Sequence, residues 1–350
     1  PALQCSDPFF RSHEYFLRRM IFQDSLGDDF IIEPWITQRA SYVLPEKGHW
    51  GLKVNLETPG VEGGAFHPDP PIKHLEDIKD MVMPTHKIDE EKTASNVAKL
   101  QYALGDILEV NIDRGSFWRM WTGDISTDLG YLRGIEQLMW DMMEDPDWLH
   151  ELLAFMRGGI LKAHEEAEKS GDWRLCNHEN QSMAYAKDLK DPKANSKPVL
   201  RSELWGYMAA QELTLISPEM HDEFMLQYQI PILAKFGLVA YGCCEDLTNK
   251  IDILRKIPNL RRISVTPFSN TAKCAEQIGR DYVCSWRPSP SATVCTGFDA
   301  ENVKKIIREG MREFRKNDCI VDICLKDVHT VQKDPDRLAN FVKAVKSVIE

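Results

Sequence analysis

The chain has 350 residues, 43% of them hydrophobic and 28% charged, an ordinary globular balance that leaves room for one large barrel or two smaller domains. A formal net charge of -11 sets nucleic-acid backbones and anionic membranes aside as main partners. No run of about 18 apolar residues occurs, so no membrane-spanning helix is expected.

The first residues show no charged-then-apolar leader. Pro1-Ala2-Leu3 opens without an initiator Met, as expected of a chain lacking a leading segment. Residues 1–25 read as an N-terminal arm, and residues 26–350 as a single domain without repeats or Gly/Ser linkers. Phe30 to Trp35 reads as an early strand stopped by Pro34, and Ile107 to Ile112 as the next strand. Two helices follow between residues 128 and 170. The first ends near Glu144, and the second starts at Asp145-Pro146 with Leu149, Leu152, Leu153, Met156 and Ile160 on its core face.

After residue 216 strands and helices alternate in order. A helix runs from Ser217 towards Tyr228, followed by strand Leu238–Tyr241, helix Ile251–Ile257 and strand Arg262–Val265. Helix Thr271–Ile278 precedes strand Tyr282–Trp286. A helix carrying Val303, Ile306, Ile307, Met311 and Phe314 leads to strand Ile320–Cys324. The last helix starts at Asp334-Pro335 and turns Leu338, Phe341, Val342, Val345 and Ile349 inward. Four β-α units in about 115 residues are the pace of a (β/α)8 barrel. No glycine-rich turn after the first strand suggests a dinucleotide fold instead.

Barrel active sites lie at the C-terminal strand ends. There the sequence places Tyr241-Gly242-Cys243-Cys244-Glu245, then Cys284, then Cys324. Seven of the nine cysteines follow residue 240, and an odd total does not fit a secreted disulfide framework, so reduced thiols in a cytoplasmic enzyme are expected. Alternation predicts that Cys243 and Glu245 share the pocket face while Cys244 turns away. Spacings of 41 and 40 residues between Cys243, Cys284 and Cys324 suit ligands drawn from different strands. Thiolates with one carboxylate suit zinc, so Cys243, Glu245, Cys284 and Cys324 are the candidate ligands. Cys5, Cys176, Cys274, Cys295 and Cys319 read as small buried hydrophobes.

Trp118 and Trp121 in Phe117-Trp118-Arg119-Met120-Trp121, with Trp205 and Tyr207, offer stacking surfaces for a flat substrate. His329 is placed at the mouth of the last strand. Asp327-Val328-His329 lacks the glycine that a corrinoid-binding loop needs, and Asn177-His178-Glu179-Asn180 reads as a solvated loop.

Leu215 to Met220, followed about twenty residues later by Gly237 to Glu245, resembles the uroporphyrinogen decarboxylase superfamily. In its methyltransferase branch a His-x-Cys at this strand end and a Cys at the last strand hold zinc; the matching positions are Tyr241-Gly242-Cys243 and Cys324. Tyr241 replaces the histidine, so Glu245 or Cys284 must complete the set. The Cys-Cys-Glu motif, Ser285-Trp286-Arg287-Pro288-Ser289-Pro290, and Cys5 to Phe9 with Arg18-Arg19 look closest to the corrinoid-dependent methyltransferases of anaerobic O-demethylase systems. That resemblance implies methyl transfer from a methoxylated aromatic to Co(I) of a separate corrinoid protein. Zinc would stabilise the departing phenolate, with Glu245 and Tyr241 assigned to the catalytic step. Other methyl donors (a thiol, an amine, methanol), a porphyrinogen decarboxylase-like lyase and a non-catalytic accessory protein are the alternatives.

Overall fold

A computed structural model describes residues 2–58, 60, 65–176 and 183–350. The strands are β1 (Trp35–Arg39), β2 (Asn55–Glu57), β3 (His67–Asp69), β4 (Glu109–Asp113), β5 (Trp205–Met208), β6 (Leu238–Tyr241), β7 (Leu260–Val265), β8 (Val283–Trp286) and β9 (Ile320–Ile323). The helices of the first half are α1 (Pro8–Ser25), α2 (Glu90–Leu104), α3 (Ser126–Leu132), α4 (Ile135–Glu144) and α5 (Pro146–Lys169). Those of the second half are α6 (Pro218–His221), α7 (Gln227–Leu233), α8 (Ile251–Leu254), α9 (Thr271–Ile278), α10 (Ala300–Lys316) and α11 (Asp336–Ile349).

β5 to β9 form one parallel sheet in which each strand lies beside its predecessor in sequence. Helices between the strands make this order possible, because parallel neighbours need a crossover. β1 and β4 form a second parallel pair, and β2 and β3 a short antiparallel one. The architecture is therefore mixed α/β.

Local chemistry explains the helix boundaries. The Asp299 carboxylate accepts the amides of Glu301 and Asn302, and Asn270 accepts that of Lys273, so α10 and α9 start where orphan N–H groups find a cap. In α5 the five predicted core residues Leu149, Leu152, Leu153, Met156 and Ile160 are all fully buried. Gly310 lets α10 lie directly on the sheet, since a Cβ there would meet the Trp286 ring at 2.3 Å.

The sheet has two distinct faces. Val239, Tyr241, Ile263, Val265, Cys284 and Trp286 join the helices in the main core. Trp205, Tyr207, Leu238, Ala240 and Cys243 form a smaller cluster on the opposite face with Met183. Beside that cluster Arg262 Nη2 donates to Asp322 Oδ2 at 2.7 Å and to Ser285 Oγ at 3.2 Å.

Several expectations need correction. The first strand begins at Trp35, after Pro34, because proline cannot donate to a ladder but can precede one. The exposed β2–β3 pair was invisible because three-residue strands without buried positions carry no period-two signal. The helix after Ser217 is interrupted by a π-helical stretch at Asp222–Leu226, and α7 carries Pro231 inside it. Ile349 is exposed at the end of α11, whereas Val348 beside it packs on the main core. Of the five cysteines read as plain core, Cys274 is buried, whereas Cys5, Cys176, Cys295 and Cys319 are half-buried at element ends or in loops.

Candidate functional site

β6 ends at Tyr241 and is followed by Gly242, whose φ of 97° is open to glycine alone in practice. A Cβ there would stand 2.7 Å from Leu247 Cδ1 and 3.1 Å from Ser264 Cβ, so the turn requires glycine twice over. The turn breaks the strand's alternation. Tyr241 points into the helix layer, whereas Cys243 enters the cluster on the opposite sheet face.

Both thiols of the pair converge, contrary to the alternation expected. Cys243 Sγ and Cys244 Sγ lie 3.3 Å apart, and Lys326 Nζ donates to them at 2.6 and 3.0 Å. Cys244 Sγ is also 3.3 Å from Asp327 Oδ2. Lys326 and Asp327 lie in the segment just past β9, so the ends of β6 and β9 meet here. Trp121, 37% exposed, packs edge-on against Tyr207 with ring centroids 5.0 Å apart, and Lys326 Nζ lies 6.0 Å from the Trp121 ring centre. Met120, Met183, Trp205 and Tyr207 line a narrow cleft.

The electrostatics favour one thiolate. The Cys244 thiol donates to Cys243, and together with the Lys326 ammonium it draws the Cys243 thiol down to about 7, against burial that pushes it up. Cys244 moves up, because it supplies that hydrogen bond and is itself partly buried. Burial lowers Lys326, but the hydrogen bonds to the two thiols outweigh it and raise the amine above its ordinary range. A lowered thiol becomes nucleophilic at lower pH. Alkylation of Cys243 by iodoacetamide, followed by peptide mass spectrometry, should therefore rise through pH about 7. A midpoint at the ordinary 9 would contradict the ion pair.

The remaining predicted residues are dispersed. Glu245 is 1% exposed and accepts the amides of Ala210 (2.9 Å) and Cys243 (2.7 Å), one on each carboxylate oxygen. It clamps the turn rather than facing the mouth. The Tyr241 hydroxyl donates to Gln229 Oε1 at 2.7 Å and meets His221 Nε2 at 2.9 Å, and burial pushes its pKa well above the ordinary tyrosine range. Cys284 is fully buried on the helix side of β8 near Cys319 and Cys274, and burial raises its thiol. Cys324, half-buried, lies one residue past β9 and gives its amide to the Trp286 carbonyl at 2.9 Å. Trp118 stacks edge-on with Trp50 inside the main core. Trp205 lies at the start of β5, its indole donating to the Ala184 carbonyl at 2.9 Å. Exposed His329 follows Lys326 by three residues. Asn177 to Asn180 lie outside the described residues.

Glu245 is spent on backbone amides and Cys284 faces the other layer. Among the described residues no three His, Cys, Asp or Glu side chains are arranged to hold a metal ion. The predicted set of Cys243, Glu245, Cys284 and Cys324 does not fit zinc, and the cation at the thiol pair is Lys326.

Sequence reasoning missed Lys326, Asp327 and the inward turn of Cys244. The available signal was position, since Lys326 stands just past the last strand, where barrel enzymes carry functional groups. Comparison with known protein families and with curated proteins finds no match. Among the described residues no helix is long and apolar enough to cross a membrane.

Proposed function

We propose that the chain is a cytoplasmic methyltransferase that moves a methyl group from a methoxylated aromatic to Co(I) of a corrinoid carried by a separate protein. The observation carrying this reading is the Lys326 ammonium held between two thiols at the strand ends, beside the Trp121–Tyr207 aromatic pair. The resemblance of residues 215–245 supplies the reaction class.

The reading takes the two parallel sheets as arcs of one (β/α)8 barrel, with residues 173–176 standing for the missing strand. Its support is the bridging of the gap after β4: Asn195 Nδ2 donates to the Val110 carbonyl at 2.9 Å, and Val199 donates to the Trp173 carbonyl at 3.0 Å.

An ether oxygen leaves poorly as an anion, so the reaction needs an acid at that oxygen. Lys326 is that acid. As the methyl carbon–oxygen bond breaks, its electron pair stays on oxygen and Nζ delivers a proton there, giving the free phenol. Co(I), the methyl acceptor, supplies the electron pair of the new bond. The raised lysine stays protonated at neutral pH, so its ammonium is present to donate at the leaving oxygen as negative charge develops there. The thiol pair holds the ammonium in register, and Trp121 and Tyr207 present ring faces and edges to the arene. Incubating the protein with a methoxylated aromatic and a Co(I) corrinoid should give methylcobalt by absorption spectroscopy. No methylcobalt with any methoxyarene would refute the reading.

A further inference from the structure

Arg287, one residue past β8, is 2% exposed, and among the described residues no carboxylate forms an ion pair with it. Its neighbour Arg262 differs, being paired with Asp322 at 2.7 Å. Arg287 Nη1 donates to the Cys243 carbonyl, and its fully shielded Nε has no partner among the described residues. A buried guanidinium without a counter-charge is costly unless an anion completes it.

The same guanidinium lines a narrow, open cleft with Tyr207, Gly242, Arg262, Ser264 and Ser285. The three hydroxyls are already committed as donors: Ser264 and Tyr207 to the Gly242 carbonyl (2.6 and 3.3 Å), and Ser285 to Asp322 (2.9 Å). Arg262, on the same cleft, is engaged by Asp322 and Ser285, so Arg287 Nε is a donor available to a ligand. The cleft has room for little more than a water-sized group, so it takes a carboxylate oxygen and leaves the ring outside its mouth. Tyr207 walls this cleft and also packs on Trp121, so an arene fixed at one end by Arg287 would run past Tyr207 towards the thiol pair and Lys326.

From this arrangement we infer that Arg287 is a specificity-determining residue, holding a carboxylate on the substrate's aromatic ring. The inference rests on the proposed methyl transfer for its substrate but concerns binding alone. A planar guanidinium recognises a carboxylate through parallel N–H···O bonds that a neutral amide cannot reproduce.

The test is calorimetric titration of the full chain with benzoate and with its neutral isostere benzamide. Benzoate should bind at least tenfold more tightly than benzamide. Arg287→Gln should remove that preference, and Arg287→Lys, which keeps the charge but loses the fork, should retain part of it. Circular dichroism establishes that each variant folds, and the benzoate–benzamide comparison on the unaltered protein decides the matter where a variant does not. Equal affinity for the two ligands, no benzoate binding, or an undiminished preference in Arg287→Gln would overturn the inference. Benzoate bound through Arg287 by a protein that forms no methylcobalt would uphold this site and refute the methyl transfer.

Discussion

Replacing Lys326 by methionine should lower methyl transfer by on the order of 10²–10⁴-fold while the protein stays folded. The side chain is half-buried and its amine is the proton source next to the thiol pair, so methionine fills similar space without supplying the acid. The same change should move the Cys243 thiol upward. A nearby cation favours the thiolate, and removing it leaves burial, which disfavours charge, less opposed. The iodoacetamide midpoint should therefore rise above about 7, while the hydrogen bond with Cys244 keeps part of the lowering.

Lys326→Arg separates the two roles. Guanidinium keeps its positive charge and so keeps the thiol low, but it does not give up a proton at neutral pH. Turnover should remain lost in this variant while alkylation stays fast. Recovery of turnover in Lys326→Arg would show that charge alone suffices and that proton donation is not the lysine's role.

Glu245→Ala should destabilise the fold by about 3 kcal/mol, because it leaves the buried amides of Ala210 and Cys243 without an acceptor. The end of β5 and the turn after β6 are joined through this carboxylate, so the thiol pair should lose its register as well. Urea unfolding should show a lower midpoint with little change in slope. A residue acting only at the mouth would lose activity with stability unchanged, and that outcome would contradict the clamp.

The periodic parts of the fold were legible in the sequence. β6 and α9 match their predicted ranges, and α5 buries all five residues of its predicted stripe. α5 and α9 each bury one face against a neighbour and β6 buries both of its faces, and burial is what the apolar pattern records. Exposed elements record nothing, which is why β2 and β3 went unseen.

The site was legible only in location. Cys243 was placed correctly at the strand end, but the rule of alternation fails at Gly242, where a positive φ reverses which way the following side chains point. That single turn brings Cys244 to the mouth and sends Glu245 back to the backbone. Cys284 shows the converse limit. A cysteine at a strand end can face either layer, and the neighbouring Ser285 is the one that meets Arg262 and Asp322. Lys326 had no motif to mark it, because its role comes from β9 lying three strands away from β6 in the same sheet.

The most direct measurement is methylcobalt formation by protein treated with a metal chelator, using 4-methoxybenzoate as donor and a Co(I) corrinoid as acceptor. The expected result is methylcobalt in step with release of 4-hydroxybenzoate, and none above background from Lys326→Met. Absence of methylcobalt from the unaltered protein, or activity that returns only with stoichiometric zinc, would contradict a reaction driven by the Lys326–thiol site.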